Sequence, residues 1–232
     1  MEWIHPEQFR RCVTRYHGQY QVRHFSCGDQ FLTMSFAQVT FRESLADIEI
    51  CLRSRGDQLY HLGFRSTMAH STLADANHVR DWRICADLAQ MLIPRARKLY
   101  AQESLGLELD QAVYALDSTT IDLCLTLFPW ARFRATKAAV KLHTLLDVRG
   151  PIPTMIAISE GKQAAVRVLD ELIPEPGAFY IMDRGYADFD RLYRFVLASA
   201  FFVTRAKAGL QLNRLASRPA NRTTGLRRDQ IV

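Results

Sequence analysis

Two aspartates are placed where carboxylates can do chemistry. Asp117 closes the apolar run Val113–Leu116 and is followed by Ser118, Thr119 and Thr120. Asp183 closes the run Phe179–Met182 and is followed by Arg184 and Gly185. Short apolar runs bounded by polar, turn-prone residues read as buried strands. A carboxylate in that place sits at the edge of a sheet while its strand is anchored in the core. If the two strands are neighbours, the carboxylates converge. With no Cys or His beside them, two hard oxygen donors suit Mg²⁺ or Mn²⁺ rather than zinc. Two such ions about 4 Å apart activate a water or a 3′-hydroxyl and steady the leaving oxygen of a phosphodiester. Aspartates at strand ends also serve as turn formers and caps, so the pair weighs more than either residue alone. Asp122 lies five residues after Asp117 and faces the other way in a continuous strand. Asp147 ends an apolar run before Arg149-Gly150-Pro151, where a turn role is expected.

The elements that must hold these acids follow from the same patterns. Ala112–Asp117, Lys141–Asp147 and Pro153–Ser159 read as three consecutive strands, the last two joined by a tight turn. Gln163–Leu172 has helical periodicity, Ala178–Asp183 reads as a strand, Phe189–Ala200 as a helix and Phe201–Thr204 as a strand. Three antiparallel strands followed by alternating helix and strand is the order of the ribonuclease H-like fold. Residues 1–108 read as a helical region. Phe31–Val39 has helical spacing, and Ser44-Leu-Ala-Asp47 resembles a capping box before Ile48–Arg53. Ser71–Asp75 reads as a second such start. Arg80–Tyr100 reads as a longer helix interrupted near Pro94. The expected class is α+β, with a helical N-terminal region before an incomplete ribonuclease H-like domain over 109–205. Residues 206–232 form a basic stretch after it. Several short helices in the first region could bind DNA in the manner of a helix-turn-helix, or form a plain bundle.

Charge is unevenly spread. The net charge is +6, and Arg205–Val232 holds seven Lys or Arg and one acid, Asp229. The residues before it are balanced. A basic end suggests a polyanion, nucleic acid first, although a solvated end reads the same way. The five cysteines are scattered without a C-x-x-C spacing, so reduced, buried thiols are expected. The start is charged and lacks a signal-peptide core. The longest apolar stretch, Phe195–Val203, falls short of the ~20 residues of a membrane helix. A cytoplasmic protein without membrane contact is expected.

The segments Leu116-Asp-Ser-Thr119 and Ile181-Met-Asp-Arg-Gly-Tyr186 resemble the first and second catalytic motifs of bacterial insertion-sequence transposases of the "IS-four" family. Ala138–His143, Leu146–Gly150, Phe201–Lys207, Phe41–Asp47 and Phe64–Asn77 are similar to the same proteins, so the resemblance covers nearly the whole chain. It implies a ribonuclease H-like DDE domain, Mg²⁺ (or Mn²⁺) dependence, and cut-and-paste movement of DNA. The partners implied are transposon terminal inverted repeats and target DNA, with a homodimer left open. Asp117 and Asp183 become two of three metal-binding carboxylates. Arg184 and Tyr186 complete the second motif, and Arg184 either meets a phosphate or orients Asp183. Lys141, Lys207 and Arg214 join them as expected nucleic-acid contacts.

Two departures stand out. The family's third acid is a Glu in a Tyr-x-x-Arg-x-x-x-Glu-x-x-x-Lys element, whereas the last Glu here is Glu175. Gly161–Val166 stands where the family carries a His-Asp pair. The expectation is a transposase cut short before its third carboxylate, with little strand transfer by itself. The alternative is a non-catalytic DNA-binding or dimerising fragment that regulates an intact transposase. An aspartyl phosphotransferase is disfavoured, because Asp117 has no second acid two residues on.

Overall fold

The structure is a computed structural model. It describes residues 4–232 except Leu62, Arg65–Thr67, Gln102, Ser104, Leu105, Leu107, Glu108, Cys124–Trp130, Ala135, Thr136, Leu212, Asn221, Arg222 and Thr224. The chain divides into two compact units, Met1–Arg95 and Ala96–Val232.

The first unit is helical: α1 (Pro6–Arg15), α2 (Cys27–Val39), α3 (Leu45–Arg53), α4 (Gly56–Leu59), α5 (His70–Val79) and most of α6 (Arg83–Leu99). Local chemistry starts three of these helices, α1 through the His5 side chain, which accepts from Glu7 N. Ser26 and Asp29 form a reciprocal capping box on α2, and the Ser44 side chain accepts from Asp47 N at the start of α3. The unit has two small cores, one around Ile48, Leu52, Leu59 and Leu73, the other around Cys12, Val13, Cys27 and Ile84. Cys12, Cys27, Cys51 and Cys85 are free thiols, and Cys124 lies outside the described residues.

Two expectations fail here for identifiable reasons. The α5 helix begins at His70, ahead of Ser71, and no side chain of its own caps it. Its first N–H donates instead to Glu49 Oε2 of α3 at 2.7 Å, so a tertiary contact replaces the local cap. The α6 helix begins at Arg83 and runs through Pro94 to Leu99 without a break. An internal proline costs a helix ~3 kcal/mol. The last turn of α6 is anchored from outside: Arg97 donates to Tyr114 Oη at 2.7 Å and to Asp147 Oδ2 at 3.3 Å.

The second unit is built on a six-stranded mixed sheet, which makes the fold α+β. Its strands are β1 (Val113–Leu123), β2 (Arg132–Arg134), β3 (Lys137–Asp147), β4 (Ile152–Glu160), β5 (Phe179–Met182) and β6 (Phe201–Thr204). The β3 strand pairs antiparallel with β1 on one edge and with β4 and β2 on the other. The β5 strand runs parallel to β1, and β6 runs parallel to β5. Apart from the short β2, which the sequence reading did not include, this is the three-plus-two arrangement that the element order predicts. The segment expected as a helix over Gln163–Leu172 is a short 3-10 helix, Ala165–Asp170. It and α7 (Phe189–Leu197) cover one face, where Tyr114, Leu116, Leu169, Tyr180, Met182 and Phe195 form the core. The β3–β4 turn needs Gly150, because a Cβ there would lie 2.5 Å from the Tyr100 side chain. The basic end carries a two-stranded ribbon, β7 (Ala216–Arg218) with β8 (Asp229–Ile231). Among the described residues, no helix is long and apolar enough to cross a membrane.

Glu49 yields the first test. It accepts from His70 N and meets His70 Nδ1 and Arg53, and the His70 backbone bond, first among several causes, holds its carboxyl below the usual range. A depressed folded value contributes stability above the unfolded value of about 4.3, lost as pH falls through the folded one. Glu49→Gln is expected to lower the urea midpoint at neutral pH. The gap from wild type should close as the pH is taken below about 4. A gap independent of pH would show that the charge plays no part.

Candidate active site

The site is set by the parallel ladder. Register pairs Leu116 with Met182 on β1 and β5, and Met182 with Thr204 on β5 and β6. The next residue on each strand is Asp117, Asp183 and Arg205. Neighbouring strands lie about 4.8 Å apart, so these three form one row across the sheet. Alternation along each strand puts all three on the same face, the face of Ala115, Ile181 and Val203. That is the side opposite α7.

Asp117 was expected at the end of its strand. It is instead inside β1, which runs on to Leu123 because its other edge keeps pairing with β3, Asp117 opposite Thr144. What ends at Leu116 is the pairing with β5. Asp117 is therefore exposed, and its Oδ1 accepts from Ser118 N at 2.7 Å. Asp183 is extended, with φ −72° and ψ 161°, and leads into the 3-10 turn Arg184–Tyr186. Arg205 donates to Asp183 Oδ1 through Nε at 3.1 Å and through Nη2. This side-chain pair, then the Arg184 backbone N–H, holds the Asp183 carboxyl below its ordinary value.

Tyr186 is 2% exposed and lies in the core beneath this row. A DNA contact was expected of it, but a buried ring presents no surface to a phosphate; its place is under the carboxylates. Burial pushes its phenol up, and the charges of Asp117 and Asp183 add to that. Ser118 opposes them, although no partner meets hydrogen-bond geometry at the hydroxyl.

The other expected residues are distributed differently. Arg184 is exposed beside Asp183. Lys207 donates to the Ala187 carbonyl at 2.7 Å, just past the same turn. Lys141 pairs with Thr120 in register, so it faces the other side of the sheet, where its ammonium donates to the Gln163 carbonyl at 2.6 Å. Arg214 is exposed ahead of β7. Asp122 also faces away from Asp117 and sits 3.8 Å from the Lys137 ammonium. Asp147 pairs with Tyr114 at the opposite end of the ladder, where it accepts from Arg149 N at 3.1 Å in the turn. Arg205 was not singled out from sequence. The signal was present: Phe201–Thr204 is a third short apolar run closed by a charged residue.

The donor set fits a hard divalent cation. Two exposed carboxylates share a row and a face, with no soft donor in that row. Among the described residues, no group of three His, Cys, Asp or Glu side chains is assembled to hold a metal.

Residues 108–232 match the family described as Transposase DDE domain. The chain belongs to that family. Residues 1–65 match a second family, described as a domain of unknown function (DUF4372). The chain is 28% identical over 140 residues to "Putative transposase y4zB" of Sinorhizobium fredii (strain NBRC 101917 / NGR234), covering 60% of this chain and 38% of that protein. It is 26% identical over 148 residues to "Probable transposase for insertion sequence element IS5377" of Geobacillus stearothermophilus, covering 64% of this chain and 38% of the relative. The chain thus spans about two fifths of the length of these curated relatives.

The buried tyrosine of this DDE domain gives a stability test. Tyr186→Ala should cost about 3–5 kcal/mol, the usual loss for emptying an aromatic site in a core. Tyr186→Phe should stay within about 1 kcal/mol of wild type, because it removes a hydroxyl without a well-formed hydrogen bond. Urea unfolding of the full chain reads both. Equal losses for the two variants would mean that the hydroxyl, not the ring, carries the contribution.

Proposed function

We propose that this chain carries the metal-binding core of an insertion-sequence DNA transposase of the "IS-four" type, with Asp117 and Asp183 as ligands for Mg²⁺ or Mn²⁺. The observation that carries this reading is the register that puts both carboxylates in one row on one face. Bound there, the metal would polarise a phosphodiester and favour attack by water or a 3′-hydroxyl. The chain's own residues do the rest. Asp117 and Asp183 present oxygens from a rigid ladder, so their spacing is set by strand geometry rather than by loops. Tyr186 fills the space beneath them and keeps the turn after Asp183 in place. Arg184 and Lys207 bring positive charge to the same edge and draw in the DNA backbone. Arg214 and the β7–β8 ribbon extend that charge along the basic end. Lys141 is a more distant candidate for the same role, on the other face. Residues 1–108 form a helical, DNA-facing region, 109–205 the catalytic core and 206–232 a basic β segment. The partners are element ends and target DNA, with self-association a further part of the reading.

A second reading is a non-catalytic DNA-binding or dimerising fragment that regulates an intact transposase; what favours it is the basic end, where Arg214 and Ala216–Arg218 are exposed. Under this second reading, a site with two acidic ligands would bind metal weakly and cleave little.

Both readings meet one experiment. In titrations monitored by the Mn²⁺ resonance signal, Asp117→Asn and Asp183→Asn should each weaken binding by about tenfold or more. Unchanged binding in both would remove the metal site. Nicking of duplex DNA in Mg²⁺ should stay near background for wild type; robust nicking abolished by Asp117→Ala would overturn the view that the chain alone is impaired. Duplex affinity should fall steeply with salt, as phosphate contacts require.

A further inference from the structure

We propose that Arg205 is a built-in counter-cation of the site: it holds Asp183 in the absence of metal, gives way when metal binds, and then takes a phosphate oxygen of the DNA. This rests on the reading of Asp183 as a metal ligand and goes beyond it by giving the row a third, cationic member with two states.

The row itself is the argument. Asp117, Asp183 and Arg205 each follow the last residue of the parallel ladder on three adjacent strands. Two like charges therefore stand side by side, with one opposite charge next to the second of them. Arg205 holds Asp183 through one oxygen only, Oδ1, by Nε and Nη2. The guanidinium fork is not matched to both carboxylate oxygens, the arrangement that would make the pair strong. Both partners are open to solvent, Arg205 77% and Asp183 47% exposed. Exposed pairs of this kind are held by about 1 kcal/mol or less. A divalent cation bridging two carboxylates outcompetes such a hold, since it interacts with both acids and carries twice the charge. Nothing buries the Arg205 side chain, so it can swing free. It remains tethered at the strand end beside the metal, where a DNA backbone must pass to react. Guanidinium groups match phosphate oxygens well through two parallel N–H bonds.

The competition predicts the sign of an effect that a purely supporting role would reverse. If Arg205 oriented Asp183 for metal, removing it would weaken binding. If it competes, removing it tightens binding. Full-length Arg205→Gln should bind Mn²⁺ about two- to fivefold more tightly than wild type, read by the Mn²⁺ resonance signal. Arg184→Gln removes a nearby charge whose side chain makes no bond to Asp183, and should tighten binding less. The second readout is DNA. Without metal, Arg205 is already neutralised by Asp183, so Arg205→Gln should leave the salt dependence of duplex binding unchanged. With saturating Mn²⁺, the same variant should lose about one phosphate contact, lowering the slope of log affinity against log salt by about 0.9. Unchanged or weaker Mn²⁺ binding in Arg205→Gln overturns the proposal, as does equal tightening in Arg184→Gln or a salt slope that drops equally with and without metal. The reading beneath it fails separately: Asp183→Asn that binds Mn²⁺ like wild type removes the metal site itself.

Discussion

The parallel pairing of β1 with β5 is the constraint on which the rest of the second unit depends. A parallel pair cannot be closed by a hairpin; it needs a crossover, and here the chain makes β3, β4 and a 3-10 helix before returning. The returning strand must enter in one register, because a slip by one residue would turn each side chain to the other face. Aromatic packing fixes that register. Tyr114 and Tyr180 lie 5.2 Å apart on the covered face, and Phe195 of α7 meets Tyr180 edge-on at 5.0 Å. On the other face Phe179 and Phe201 stack at 4.8 Å. The polar end of the ladder is tied as well: Tyr114 donates to Glu175 Oε2, and Tyr180 accepts from Glu175 N. Burial raises the Tyr114 phenol well above its ordinary value, so it stays neutral and keeps donating. With one end tied and the middle packed, the other end emerges with Asp117 and Asp183 level.

That outcome is electrostatically unfavourable, and the surroundings show how it is managed. Two adjacent carboxylates repel, more so beside apolar side chains than in water. Ile181 and Val203 are 45% and 53% exposed on the same face, so the row lies where apolar sheet meets solvent. Solvent reaches both acids, backbone N–H groups donate to each, and Arg205 offsets the charge on Asp183. A fully buried pair would protonate instead. Arg205, then the Arg184 backbone, favour the charged form of Asp183 at the point where the ladder meets water.

The order of the five longer strands was legible because each contains an apolar run ended by a charged or turn residue. Phe201–Thr204 agrees with expectation residue for residue, and Phe179–Met182 falls one residue inside the expected Ala178–Asp183 at each end. The α3 start was legible because its cap is local, Ser44 to Asp47. The α5 start was not, because its cap is Glu49, more than twenty residues away. Nothing in Ser71–Asp75 reports that contact. Pro94 misled for the same reason: local chemistry says stop, and Arg97 reaching Tyr114 and Asp147 lets the helix continue. The length of β1 was hidden because Ser118, Thr119 and Thr120 are polar on a strand whose continuation is held by β3 alone.

The candidate site divides along the same line. Asp117 and Asp183 stand out in the sequence because each closes a short apolar run, a local property, although Asp117 lies inside β1 rather than at its end. Which residues surround them is a property of register, and register is not local. Tyr186 follows Asp183 by three residues and so reads as a neighbour at the surface, yet the 3-10 turn rotates it into the core. Lys141 reads as a cation near the motif, yet an even offset from Asp117 through its partner Thr120 would need an even number of residues, and three sends it to the far face. Arg205, twenty-two residues from Asp183 in the chain, becomes its direct partner because β5 and β6 end together. The rule that found the two acids finds this cation as well once it is applied to each strand of a parallel set rather than to acids alone. In such a set the residues just past the ladder form a single row on one face, whatever their charge.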